Sequence, residues 1–338
     1  MRRDLAIVAA ARGKDQGFMS KYIVTGGAGF IGSNVIATLN ARNEDDILVV
    51  DVLGSDEKWK NLVGLKFADY WEADNFRFHM GNDTLGEVDA VIHLGACSAT
   101  TERNASYLAD NNYRFTRELC EWCLHHNTRF VYASSAATYG DGALGYSDDL
   151  DKLPGLQPMN MYGYSKHLFD LWALRQNLFD RIVGLKYFNV YGPREAHKGD
   201  MRSVVHKAWG QIKQTGGVKL FKSYRPEFKD GEQLRDFIYV KDAVDATLFF
   251  AEEGGSGGLF NVGTGQERTW LDLAKAVFKA LGREPKIEFI EMPEAIRDRY
   301  QYSTQAEVTN LRGAGYRADF TNLEDGVRDY IQWLEQHG

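Results

Sequence analysis

Tyr162-Gly163-Tyr164-Ser165-Lys166 sets a phenol and an ammonium four residues apart, the spacing that puts two side chains on one face of a helix. A phenol is ordinarily a poor base, with a pKa near ~10. A cation beside it favours the phenolate and lets it exchange protons near neutral pH. Upstream, Ser134-Ser135 follows the apolar run Arg129–Ala133. A hydroxyl at the end of such a strand sits at the carboxyl edge of a sheet, where open α/β sheets hold their ligands. Ser135 is read as the hydrogen-bond partner of a substrate oxygen. Tyr-x-x-x-Lys by itself is common on solvated helix faces, so the reading depends on what else the chain supplies.

It supplies Thr25-Gly26-Gly27-Ala28-Gly29-Phe30-Ile31-Gly32, after Lys21-Tyr22-Ile23-Val24 and before Ser33-Asn34-Val35-Ile36. This reads as strand, glycine turn, helix. Gly26, Gly29 and Gly32 fall where a side chain would block a tight turn or the approach of a pyrophosphate to a helix N-terminus. A second apolar run, Ile47-Leu48-Val49-Val50, ends in Asp51, at the spacing of an acid that faces an adenosine ribose. The first half of the chain is therefore expected to bind a nicotinamide dinucleotide, whose positive ring would join Lys166 in favouring the Tyr162 phenolate.

The elements that must position these groups alternate between short apolar runs and helical stretches, the signature of a parallel sheet covered on both faces. Strands are expected at Tyr22–Thr25, Ile47–Asp51, Arg77–Met80, Ala90–Leu94, Arg129–Ala133, Ile182–Phe188 and Leu259–Val262, and helices at Ile31–Asn40, Asn111–His125 and Tyr162–Leu178. Gly140–Pro158, Glu195–Asp200 and Ser223–Gln233 read as loops. The fold class is α/β, a doubly wound parallel sheet of Rossmann type with a smaller C-terminal substrate lobe. Residues 19–190 form the dinucleotide-binding domain, with a segment of about 235–265 returning to it. Residues 191–234 and 266–338 form the lobe. Met19-Ser20-Lys21 looks like a natural start, and Met1–Phe18 reads as an upstream extension, disordered and without function.

Composition narrows the partners. Across 338 residues the net charge is −7, from 40 basic and 47 acidic side chains. With no long basic run, nucleic acid and anionic membrane are poor partners. No apolar stretch approaches transmembrane length. Cys97, Cys120 and Cys123 make no secreted disulfide framework, and Cys120-x-x-Cys123 lacks the second pair of a zinc site. The cysteines read as packing residues of a protein in a reducing cytoplasm, with no metal.

Together these motifs resemble the extended short-chain dehydrogenase/reductase family, whose members act mostly on nucleotide-linked sugars. The match covers nearly everything after Met19. It includes His93-Leu94-Gly95-Ala96-Cys97, Tyr191-Gly192-Pro193-Arg194, Arg235-Asp236-Phe237-Ile238-Tyr239-Val240 and Asn261-Val262-Gly263-Thr264-Gly265. Gly95–Glu102, Asp110–Tyr113, Ala133–Gly140, Tyr187–Gly199, Arg299-Tyr300-Gln301 and Thr304-Gln305-Ala306 are more specific and look like the family's sugar epimerases.

The resemblance implies a role for each matching position. Phe30 and Ile31 would lie over the dinucleotide, Asp51 and Val52 at its ribose and Lys58 near a 2′-phosphate. Leu94, Gly95, Ala96, Cys97, Ser98, Asn111, Lys166, Val190 and Lys198 would complete the cofactor site. Asn189, Phe221, Lys222, Ser223, Tyr224, Arg235 and Tyr300 would hold the sugar nucleotide, and an arginine fork such as Arg235 suits a diphosphate. Asp200 and Lys207 occupy two further substrate positions. The chain departs from the family there, where a small polar residue and a histidine are usual, and at Ala73, where a second phosphate-contacting lysine is usual. The loop from Gly145 to Pro158 and the insert from Tyr224 to Gln233 also differ in length.

The resemblance further implies NADP, with Lys58 offsetting the Asp51 carboxylate, although Asp51 taken alone argues for NAD. It also implies a homo-oligomer, a pentamer. An epimerase must return a hydride to the other face of the same carbon, so a second proton donor is needed across the pocket from Tyr162. The resemblance gives that role to Lys198. A dehydratase would need an Asp-Glu pair after the serine, where this chain has Ala136-Ala137. A non-catalytic sensor would have no reason to keep Ser135, Tyr162 and Lys166 together.

Overall fold

Strands β1 (Tyr22–Thr25), β2 (Ile47–Asp51), β3 (Asp69–Glu72), β4 (Ala90–His93), β5 (Arg129–Ser135), β6 (Val183–Tyr187) and β10 (Gly258–Val262) form one sheet. The computed structural model describes residues 21–252, 255–297 and 300–338, so Met1–Phe18, and Arg299 of the epimerase-like motif, lie outside the described residues. The order is β10-β6-β5-β4-β1-β2-β3, with every neighbouring pair parallel. Tyr22 faces Ile47 on one side and Ala90 on the other. The chain thus leaves β1 in one direction and later returns on its opposite flank. The carboxyl ends splay apart there, and that is where open sheets bind ligands.

Alternate strand residues feed two cores. Tyr22, Val24, Val49 and Ile92 face one, while Ile23, Leu48, Val50 and Val91 face the other. Helices α1 (Phe30–Ala41), α2 (Ala73–Gly81), α3 (Phe115–His126), α4 (Met161–Arg175), α5 (Val204–Thr215), α6 (Val240–Glu252), α7 (Trp270–Ala280) and α8 (Leu323–His337) cover them. Val35, Ile36 and Leu39 of α1 pack in the first core, and Phe115, Leu119 and Cys123 of α3 in the second. Two small sheets lie beyond. One joins β11 (Glu267–Thr269) and β7 (Asn189–Tyr191) to the two sides of β9 (Leu234–Tyr239), and the other pairs β8 (Val218–Phe221) with β12 (Ile287–Ile290).

One expected strand is wrong. Arg77–Met80 is the end of α2, and the edge strand is Asp69–Glu72. Phe76 and Met80 are buried four residues apart while Phe78 is exposed, the helical period rather than the alternating one. Other elements differ in detail. Strand β5 runs on through Ser135. The expected helix from Asn111 begins as a π-helical turn, Ala109–Arg114. Ala196–Met201 is a short 3-10 turn.

Candidate active site

The glycine turn connects β1 to α1 and abuts the loop after β4. Gly26 has φ +67°, and a Cβ there would lie 2.7 Å from the Gly95 nitrogen. A Cβ on Gly32 would overlap the Gly26 carbonyl. Both positions therefore need glycine, and the first helical turn leaves its N–H groups without intrahelical acceptors. This cradle fits the pyrophosphate of a dinucleotide. At the end of β2 the Asp51 carboxylate accepts the Ala28 N–H at 2.9 Å and pairs with Lys58 Nζ at 3.0 Å.

His93 locks the neighbouring loop. Its Nδ1 lies 2.7 Å from Thr25 Oγ1 and its Nε2 2.8 Å from Thr116 Oγ1. Burial holds the ring neutral, with a pKa pulled down to about 3. Asn112 ties the same loop to α4, accepting the Cys97 N–H at 2.9 Å and donating to the Cys97 carbonyl and Ser165 Oγ, both at 3.0 Å. Asn111, the expected cofactor residue, donates from Nδ2 to Asn112 Oδ1 at 2.9 Å.

Tyr162 and Lys166 do share a face of α4. The Tyr162 hydroxyl hydrogen-bonds with Ser135, and Lys166 Nζ donates to the Ala133 carbonyl at 2.8 Å. Gly163 allows this approach, since a Cβ there would come within 2.6 Å of the Ala137 carbonyl. Burial pushes the Tyr162 phenol above its usual pKa, and the Ser135 hydrogen bond opposes that shift. Burial lowers Lys166 to about 8, against the pull of Asp170. The phenolate is therefore not favoured by Lys166 alone, because the same burial penalises both charges.

Beneath these residues lies a polar network that motif reading missed. Asp170, fully buried, accepts from Tyr132 Oη at 2.8 Å, Ser134 Oγ at 2.7 Å and Lys186 Nζ at 2.9 Å. Lys186 also donates to Thr138 Oγ1 at 2.6 Å. The signal was present: Tyr162, Lys166 and Asp170 repeat every four residues, and Lys186 is a lone charge in an apolar strand.

A cavity of about 710 Å³ runs along the carboxyl ends of the strands. Its lining includes the expected Gly26, Gly29, Phe30, Ile31, Gly32, Asp51, Lys58, Leu94, Gly95, Ala96, Cys97 and Ser98. Ser135, Tyr162, Lys166, Asn189, Val190 and Lys198 line it too, the last with Nζ 5.1 Å from the Phe30 ring centre. Burial lowers the Lys198 pKa, Glu195 raises it and Lys207 lowers it. Asn160, His197, Met201, Gln301 and Thr304 also line the cavity without having been expected.

The remaining expected residues lie outside that lining. Val52 and Asp200 are exposed, and Lys207 is half-buried on α5. Phe221 ends β8. Lys222 pairs with Glu291 at 2.7 Å, the Ser223 N–H donates to Asp230 at 2.8 Å and the Tyr224 N–H to the Tyr302 hydroxyl at 3.1 Å. Arg235 is buried, its guanidinium 5.1 Å from the Tyr300 ring and 5.5 Å from that of Trp270. Arg235, Trp270, Tyr300, Tyr302 and Tyr224 form a second, aromatic and cationic cluster.

Fold and site define a nicotinamide-dependent enzyme of the extended short-chain dehydrogenase/reductase type. The profile of the NAD dependent epimerase/dehydratase family matches residues 22–263, and the chain belongs to that family. An ADP-L-glycero-D-manno-heptose-6-epimerase of Nitratidesulfovibrio vulgaris is 55% identical over 312 residues, 92% of this chain and 97% of that protein. One of Fusobacterium nucleatum is 47% identical over 320 residues, 92% of this chain and 96% of that protein. The crystal structure of the Helicobacter pylori ADP-L-glycero-D-manno-heptose-6-epimerase superposes with a TM-score of 0.77 at 28% identity, covering 96% of this chain and 99% of that one. Among the described residues, no helix is long and apolar enough to cross a membrane.

Proposed function

We propose that this chain epimerises C6 of the heptose in ADP-glycero-manno-heptose by transient oxidation and re-reduction with NADP, supplying heptose for the lipopolysaccharide core. The observation that carries the reading is that two separate titratable side chains, the Tyr162 phenol and the Lys198 amine, line one cavity. The names of the relatives supply the sugar.

In this reading Tyr162 takes the proton of the C6 hydroxyl, oriented by Ser135, while Lys166 steadies the phenolate and the cofactor ribose. A nicotinamide dinucleotide held by the Gly26–Gly32 turn, Asp51 and Lys166 would supply a hydride acceptor for C6 and then a hydride donor to its opposite face. The keto sugar must turn over between these events, so its oxygen leaves Tyr162 and meets Lys198, which protonates it. Ala136-Ala137 offers no acid–base pair to expel water, which disfavours a dehydratase. Arg235 takes the diphosphate. It is buried, and among the described residues no carboxylate pairs with it, so an anionic ligand would meet an uncompensated guanidinium. Lys58, already 3.0 Å from Asp51, offsets the carboxylate that would otherwise repel a 2′-phosphate. The enzyme works in the cytoplasm as a homo-oligomer, a pentamer.

Because the hydride returns to the same substrate, the cofactor is regenerated at each turnover and need not leave. Protein purified without added nucleotide should epimerise ADP-heptose, and mass spectrometry after denaturation should find NADP. Empty protein that turns over only while consuming stoichiometric NADPH would make it a reductase, and released NAD would overturn the cofactor choice.

A further inference from the structure

Glu195 belongs to the same turn as Lys198 but faces away from water, with no exposed surface. Its carboxylate accepts the Ser203 N–H at 2.6 Å, the Ser203 hydroxyl at 2.5 Å and the Tyr330 hydroxyl. Ser203 is the N-cap of α5 and Tyr330 lies on α8. Two helices outside the dinucleotide site thus converge on one buried anion. The Lys198 N–H donates to the Glu195 carbonyl at 3.0 Å, which ties the two residues through the backbone as well.

Hydrogen-bond direction extends the chain. Arg202 Nη1 lies 3.2 Å from His206 Nε2, and a guanidinium only donates, so Nε2 is the acceptor. The ring proton then sits on Nδ1, 2.9 Å from the Tyr330 oxygen. Tyr330, having accepted from His206, gives its own proton to Glu195. Arg202, His206, Tyr330 and Glu195 are therefore polarised in one direction. Burial and Arg202 keep His206 neutral, with its pKa pulled down to about 4, as the scheme requires.

We propose that Glu195 is the positioning residue of Lys198: the Arg202–His206–Tyr330–Glu195 chain fixes a buried carboxylate behind the Lys198 turn and keeps that ammonium charged at the cavity wall. This rests on the reading of Lys198 as the second proton-exchanging group. Desolvation and Lys207 work to discharge Lys198, and Glu195 is the anion opposing them. Glu195 and His197 belong to the same turn, Lys207 lies on α5, and Asp51, Asp56 and Lys58 line the same cavity as Lys198. Among these, Glu195 alone is a carboxylate buried out of reach of water.

The test follows acetylation of Lys198 by acetic anhydride from pH 6 to 10 in the purified full-length enzyme, quantified by peptide mass spectrometry. Only the neutral amine reacts, so the midpoint reports its ionisation. Glu195→Gln keeps the shape and removes the charge, and should move the midpoint down by at least about one pH unit. The kcat profile should shift in the same direction. Tyr330→Phe keeps the ring but removes a donor that stabilises the carboxylate, and should move the midpoint the same way by less. It carries the test if Glu195→Gln fails to fold. Unmoved midpoints, with turnover lowered equally at every pH, would make Glu195 a fold anchor and overturn the proposal. Lys198→Met with undiminished turnover would instead overturn the catalytic reading of Lys198, an outcome separate from the midpoints, which are measured in proteins that keep Lys198.

Discussion

Two lysines face the same cavity and are held in different ways. Lys166 rides on a 15-residue helix, its ammonium fixed to the Ala133 carbonyl and backed by the buried Asp170–Lys186 pair. Lys198 rides on a six-residue turn, over the Phe30 ring, with Glu195 as its backing anion. The first wall is built into the sheet and the helix packed on it. The second is a loop fastened to α5 and α8. A group that must keep one geometry with a bound cofactor gains from rigid elements, because small misplacements are costly in rate. A group that meets the substrate only after it has turned over can sit on a connection, provided that its charge is held.

The sharpest way to break this comparison is Tyr162→Phe. The ring and its packing stay while the proton-exchanging hydroxyl goes, so turnover should fall about 10²–10⁴-fold. Retention of more than about a tenth of wild-type turnover would remove Tyr162 as the base. Next comes Asp170→Asn, which leaves Lys186 buried without its anion. It should cost about 3–5 kcal/mol in urea unfolding at equal cofactor loading. Asp170→Leu combined with Lys186→Met should recover much of that loss. A change under about 1 kcal/mol in the single variant would show that the first wall does not depend on the pair.

Lys198→Met tests the second wall. It should leave a folded enzyme that binds substrate and epimerises at least ~10²-fold more slowly. Weakened binding with unchanged turnover at saturation would make Lys198 a phosphate anchor. The smallest effect is a pH dependence. Lys166 titrates near 8 when folded and near 10.5 when unfolded, so between these values the unfolded chain binds more protons and stability rises with pH. The penalty is present in full below about 8 and fades toward 10.5. Lys166→Met lacks that penalty, so its stability advantage over wild type in thermal unfolding should shrink across this range. A constant offset would mean that Lys166 is not held near neutrality.

Much of the first wall was legible in one dimension. The glycine turn, the apolar strands and the four-residue spacing of Tyr162 and Lys166 are local patterns, and local patterns survive reading along the chain. The edge strand was misplaced because Phe76, Phe78 and Met80 look alternating until Phe78 is seen in water and the other two in the core.

The sequence by itself determined the dinucleotide cradle and the Tyr162–Lys166 pair, since each depends on neighbours a few residues apart: glycines where a Cβ would collide, and side chains one helical turn apart. Only the tertiary structure decided which distant charges meet. Asp170 finds Lys186 across the helix–sheet interface, Glu195 finds Tyr330 at the far end of the chain, and Arg235 comes to rest between Trp270 and Tyr300. Burial follows from how elements pack, so whether Lys198 faces the cavity charged or neutral was likewise beyond reach of its neighbours in sequence.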